Sequence, residues 1–201
     1  MTDERLLKQA RQGDETAFGR LYERHRELVF RFAYRLSQSP EIAEEITHDC
    51  FISLLQAPQR FSPDAKRASL KTYLCAIARN LAFKRLRRAG HETALEEWAE
   101  ILAAPATDEP LQQVLAAEIS EAVRQAVAAL PLLQREALIL FEYEDLSLAE
   151  IAEVSGVDVN TVKSRLHRAR ERLRGALALY GKQRKAAYVE RSCVSPSSAN
   201  H

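Results

Sequence analysis

Apolar residues return every three or four positions along most of the chain and almost never alternate. Phe18, Leu21, Tyr22, Leu28, Val29, Phe32 and Leu36 keep the spacing of one helix face. Leu70, Tyr73, Leu74, Ile77, Leu81 and Leu86 form a second such stripe. Breakers and caps divide the remainder. Gly13 stops a first helix over 2–12, and Asp14 caps a second that runs to Ser37. Ser39-Pro40, a cap followed by a first-turn proline, opens a helix over 40–56 that Ala57-Pro58 ends. Residues 58–68 read as a loop, and Ser69 opens a helix to Ala89. Further helices are predicted over 111–129, 131–142, 148–155 and 160–180, the third opened by a Ser147/Glu150 capping box. With no period-2 run, the predicted fold class is all-α.

The unperiodic stretch between these groups carries Gly90, Pro105 and Pro110. The expected organisation is therefore two small helical domains, 1–89 and 111–180, joined by a flexible acidic linker over 90–110. The polar tail 181–201 has too few apolar residues to pack and is expected to be disordered. An apolar fraction of 46% with 28% charged residues is that of an ordinary folded chain rather than a disordered one. Cys50, Cys75 and Cys193 make neither a disulfide framework nor a CxxC pair. Cys50 and Cys75 sit among apolar neighbours, as core residues do. The opening MTDERLLK has no secretory character, and no apolar run approaches the ~20 residues that span a bilayer. A cytoplasmic protein without membrane insertion is the expectation.

Net charge is +1, but its distribution is uneven. Lys66 to His91 holds eight basic residues and no acid; Glu92 to Glu121 holds eight acids and no Lys or Arg; Val159 to Arg174 holds six basic residues against Glu171 alone. One basic block alone reads equally well as a solvated helix face. Two of them, each on an amphipathic helix, point to a polyanion.

The sharpest local pattern is Leu148-AEIAEVSGVDVNTVKSRLHRARERL. Ala152 permits a close helix crossing, Gly156 a turn, Val157 fills the elbow, and Val162 and Leu166 turn the second helix inward. This is helix-turn-helix spacing. The recognition helix starts near Asn160, with Asp158 a competing cap, and presents Thr161, Lys163, Ser164, His167, Arg168 and Arg170 outward. In the helix from Ser69, Asn80 is suited to base edges and Lys84-Arg85-Leu86-Arg87-Arg88 to phosphates, although such cations also complement a helix C-terminus. Phe61, Lys66 and Arg67 in the loop before it suit single-stranded DNA through stacking and charge. Glu45 and His48 have the Glu-x-x-His spacing of di-iron bundles, but no other histidine has a glutamate three positions before it. No phosphate loop or nucleophile elbow is present, so no catalytic residue, cofactor or metal is assigned, and no small-molecule substrate.

Taken together, these motifs resemble the bacterial RNA polymerase sigma factors of the extracytoplasmic function type, which keep only regions 2 and 4. Gly13 to Tyr22 looks like the start of region 2, and Ala43 to Phe51 like its polymerase-docking segment. Leu70 to Ala82 looks like the −10 recognition helix, and Pro131 to Ala137 with the helix-turn-helix like region 4. The resemblance implies docking on the β′ clamp helices through Glu45, Asp49, Phe51 and Leu54, with region 4 meeting the β flap. It assigns the −10 element to Phe61, Lys66, Arg67, Arg79, Asn80, Lys84, Arg85, Arg87 and Arg88. The −35 element falls to Thr161, Lys163, Ser164, Arg165, His167, Arg168 and Arg170. Core polymerase, promoter DNA and an anti-sigma factor are the implied partners. Tyr73, Lys84, His48 and Cys50 depart from the residues more usual in the family. The alternative function is a stand-alone helix-turn-helix regulator that binds a palindrome without polymerase. A metal-carboxylate bundle is the enzyme-class alternative.

Overall fold

The computed structural model describes residues 1–56, 69–88 and 111–193, the side chains at 111–119, 179 and 181–193 excepted. The loop 57–68 with Phe61, Lys66 and Arg67, the acidic segment 90–110 and residues 194–201 lie outside the described residues. Among the described residues there are eight helices and no strand. They are α1 (Asp3–Arg11), α2 (Glu15–Ser37), α3 (Pro40–Gln56), α4 (Leu70–Arg88), α5 (Leu111–Ala128), α6 (Leu132–Glu142), α7 (Leu148–Ser155) and α8 (Val159–Cys193).

Side-chain caps fix the helix starts where the sequence spacing put them. The Asp14 carboxylate accepts from Ala17 N at 3.0 Å, Ser39 Oγ from Ile42 N at 3.2 Å and Ser69 Oγ from Thr72 N at 3.2 Å. Each satisfies one amide of a first turn that has no partner within the helix. Ser147 and Glu150 form both halves of the capping box. Gly156 ends α7 with φ +66°, a left-handed conformation that lets the chain turn directly into α8.

One expectation is corrected at the C-terminal end. The predicted last helix stops at 180 and the tail is expected to be disordered, yet α8 continues to Cys193. A single Gly181 costs about 1 kcal/mol relative to alanine, and Lys, Gln, Arg and Ala after it are strong helix formers.

In the first bundle α2 packs against α1, α3 and α4, and α3 packs on α4. Leu21, Val29, Phe32 and Leu36 of α2 meet Ile46, Cys50 and Leu54 of α3 and Leu74 and Ala78 of α4, all fully buried. In the second, α5, α6 and α7 pack against α8. The two bundles also pack on each other, through α2 with α6 and α4 with α7. Ile139, Leu140, Ile151 and Val162 of the second bundle belong to the same apolar cluster as the core of the first.

Leu54→Ala is expected to lower stability by about 2–5 kcal/mol, because it opens a cavity in a fully buried site. Gly156→Ala is expected to cost only about 1 kcal/mol, since an added Cβ meets nothing within 4 Å and the cost is that of the backbone conformation alone. Denaturant unfolding of the two variants against the wild type checks both the size and the order.

Candidate nucleic-acid interface

The helix-turn-helix is built by α7, the Gly156-Val157-Asp158 turn and α8. Asp158 is the cap of α8: it accepts from Thr161 N at 2.9 Å and from Thr161 Oγ1 at 2.6 Å. The Thr161 hydroxyl is thereby held in the cap. Val162, Leu166 and Ala169 pack inward with at most 3% exposure. Their phase leaves Lys163, Ser164, His167 and Arg168 exposed on the opposite face, beside the positive end of the helix. Arg170 is exposed as well, paired with Glu142 at 2.8 Å and lying over the Phe141 ring.

Arg165, also expected to face DNA, turns inward. Its guanidinium lies 3.8 Å from Glu136, whose side chain has no exposed surface. Glu136 also accepts from Ser155 Oγ at 2.8 Å and from Arg79 Nε of α4 at 2.5 Å. Arg79, a candidate for the −10 element, is thus engaged by the second bundle, with its guanidinium over the Phe83 ring. The next residue, Asn80, is exposed, and so are Lys84, Arg87 and Arg88.

Arg85 is committed locally. It donates to Asp49 at 2.5 Å and to Glu45 at 3.2 Å, tying α4 to α3, and the bond to Asp49 above all raises its guanidinium pKa. Two docking candidates are corrected. Phe51 is 2% exposed and packs edge-on against Tyr22, and Leu54 has no exposure at all. Both lie on the core face of α3, where neither is available to a partner. The outward face of that helix carries Glu45, His48, Asp49 and Ile52, the last 38% exposed. Ile52 was not singled out from sequence, although it lies at i+7 and i+3 from Glu45 and Asp49, on their side of the helix.

Sequence reasoning also missed the buried acids Glu136 and Glu144, and Arg35. The signal for Glu136 was a carboxylate inside the apolar run of α6. Burial pushes the Glu144 carboxyl up, against the pull of Lys71 and Arg35. Arg135 is pushed down to about 10 by burial, still charged at neutral pH, and donates to the carbonyls of Ala128, Leu130 and Leu36. The Cys50 thiol is buried, donates to Leu74 O, and is pushed far up; Cys75 is pushed up to about 12. Neither is a nucleophile at neutral pH. Among the described residues no group of three or more His, Cys, Asp or Glu is arranged to hold a metal ion. None of the described helices is long and apolar enough to cross a membrane.

The family Sigma-70 region 2 matches residues 21–92, and Sigma-70, region 4 matches residues 120–173. The ECF RNA polymerase sigma factor SigW of Bacillus subtilis is 30% identical over 188 residues, covering 88% of this chain and 97% of that protein. The chain belongs to the ECF sigma factors. It is an RNA polymerase sigma factor with regions 2 and 4, and the stand-alone regulator is not favoured. SigM of Mycobacterium tuberculosis is 34% identical over 174 residues, covering 86% of this chain and 83% of that one. Among solved structures, the sigma factor RpoE of Bartonella quintana, crystallised with the anti-sigma factor NepR, has a TM-score of 0.61 and 26% identity. It covers 80% of this sigma factor and 96% of its own chain. Residues 174–193 of α8 extend the sigma factor's last helix past the region 4 match.

The capping carboxylates give the helix-turn-helix a defined acid sensitivity. Hydrogen bonds from Ser147 hold Glu150 below its ordinary 4.5, and those from Thr161 hold Asp158 below its ordinary 3.8. A depressed carboxylate stabilises the fold above its unfolded pKa, and that stability is lost as pH falls through the folded one. Asp158→Ala is therefore expected to melt below the wild type at neutral pH and to converge with it as the pH falls below the ordinary carboxylate value of 3.8. Thermal melts followed by circular dichroism across that range check this; an unchanged gap at acid pH would contradict the charged cap.

Proposed function

We propose that this sigma factor divides promoter recognition between two helix faces and docks on core polymerase through a third. Lys163, Ser164, His167 and Arg168 of α8 take the −35 major groove, read through base edges and DNA shape. Asn80 of α4, with the loop 61–68, captures a base extruded from the −10 element, while Lys84, Arg87 and Arg88 hold the adjacent phosphates. Reading and strand opening are then one event, because the pocket's contacts offset the loss of stacking.

Docking falls to the outward face of α3. Asp49 and Glu45 offer carboxylates and Ile52 an apolar centre for the β′ clamp helices, with Arg85 positioning the two acids. Region 4 meets the β flap. An anti-sigma factor is a further partner, supported by the RpoE relative that was crystallised with one. The protein catalyses no reaction of its own and works in the cytoplasm, beside the polymerase and the chromosome.

The observation that carries this reading is the phase of α8. Buried Val162, Leu166 and Ala169 fix one face of the helix, and the exposed polar and basic residues of the other begin at its electropositive end. Each module alone should bind weakly, and polymerase joins them at fixed spacing, which raises the effective concentration of the second contact. Exposed phosphate-binding cations also make the interaction steeply dependent on salt.

Run-off transcription tests the reading, using core polymerase and DNA fragments from the source bacterium. Defined starts sharing −10 and −35 elements are expected only when the protein is added. Lys163→Ala and Arg168→Ala should each weaken promoter binding across sequences and reduce the salt slope by about one. Asn80→Ala should leave duplex −35 binding intact and lower strand opening about tenfold, the lower range for one base contact. Association with core but equal starts with and without Asn80 would contradict its assignment.

A further inference from the structure

The Asn80 side chain is exposed on α4, and among the described residues its hydrogen-bond partner is the residue before it. Arg79 Nη1 donates to Asn80 Oδ1 at 3.3 Å. A guanidinium carries only donors, so the amide atom turned toward it is the oxygen. Nδ2, on the other arm of the amide, is left with both N–H groups for a ligand. An asparagine amide on its own rotates about a broad, two-fold torsion and offers oxygen or nitrogen with little preference. Here Arg79 sets that torsion.

Arg79 is itself fixed. Its Cζ lies 4.4 Å from the centre of the Phe83 ring, and its Nε donates to Glu136 Oε1 at 2.5 Å. The Phe83 ring packs in turn against the apolar core cluster. Asn80 and Phe83 follow Arg79 at i+1 and i+4, so ring, guanidinium and amide are carried by α4 as one unit. A lysine cannot reproduce this arrangement, being a point charge on a flexible stem without the planar fork.

We propose that Arg79 is a positioning residue for base reading: resting on Phe83, it turns the Asn80 amide so that donors, and not the oxygen, meet the extruded base. The proposal rests on the assignment of Asn80 to the −10 element above. The favoured base is one whose pairing edge offers acceptors. Cytosine has O2 and N3 side by side on that edge, whereas guanine has N1–H and its amino group beside O6. Arg79 thus acts on specificity without touching the base.

The test uses holoenzyme assembled from the full chain and core polymerase, on fork-junction DNA carrying a promoter found by run-off transcription. Each position of the single-stranded −10 element is made cytosine or guanine in turn, and the ratio of affinities is read by competition. At one position the wild type is expected to favour cytosine about tenfold, the lower range for one base contact, and Asn80→Ala to bring the ratio near one. Arg79→Lys keeps a charge for Glu136, and Phe83→Leu keeps an apolar side chain on the core. Each should lower that ratio about threefold, the low end for coupled residues in contact. Adding either to Asn80→Ala should change the ratio no further. Arg87→Ala, at an exposed phosphate-binding cation, should weaken binding to both bases equally.

If Asn80→Ala alters no ratio, the base-capture assignment fails and the positioning role with it. If Asn80→Ala abolishes a ratio that Arg79→Lys and Phe83→Leu both leave at the wild-type value, the assignment stands and the positioning role is overturned. A wild-type preference for guanine at that position overturns the donor orientation. A variant that is partly unfolded lowers binding to both bases alike, so the ratio separates loss of positioning from loss of fold.

Discussion

A carboxylate with no exposed surface needs partners for its oxygens, and Glu136 collects its partners from three elements. Ser155 at the end of α7, Arg165 of α8 and Arg79 of α4 all converge on it. Two of these contacts link α7 and α8 of the helix-turn-helix to α6, beside the apolar packing of Val162, Leu166 and Ala169. The third reaches into the other bundle. Hence one carboxylate touches both α8 of the helix-turn-helix and α4 of the first bundle.

This constraint sorts the cations of the chain. Lys163, Arg168, Lys84, Arg87 and Arg88 are exposed and available to phosphate, whereas Arg79, Arg85 and Arg165 are held by carboxylates. A held cation contributes to DNA binding only if its carboxylate finds another partner. The shared apolar cluster adds to the contact between the bundles, since parting them exposes surface around Leu70, Leu146 and Ile151 to water.

Much of the fold was legible because its signals are local. Ser39, Ser69, Ser147 and Gly156 each mark a helix end through one hydrogen bond or one backbone angle, and apolar phase told which side of α2 and α8 faces inward. The helix-turn-helix followed from such spacing. What failed depended on distance along the chain or on phase left unchecked. Phe51 and Leu54 were chosen for docking from the motif around them, although Ile46, Cys50 and Leu54 already define the core stripe of α3, which leaves Ile52 outside. Arg79, Arg85 and Arg165 were counted as free charges, since their partners Glu136, Asp49 and Glu45 lie on other helices. The contact between bundles has no local signature at all. Its apolar residues look like ordinary core positions within each bundle. The helix beyond Gly181 was missed because low hydrophobicity was taken for absence of structure.

The central claim is that one carboxylate couples the two modules, and a double-mutant cycle measures that coupling most directly. Unfolding free energies of the full chain would be compared for wild type, Arg79→Ala, Glu136→Gln and the double variant. The account predicts non-additivity of about 1–3 kcal/mol, the range for residues in direct contact within one network. Additive effects, within about 0.5 kcal/mol, would mean that Arg79 and Glu136 do not interact in solution and would contradict the account.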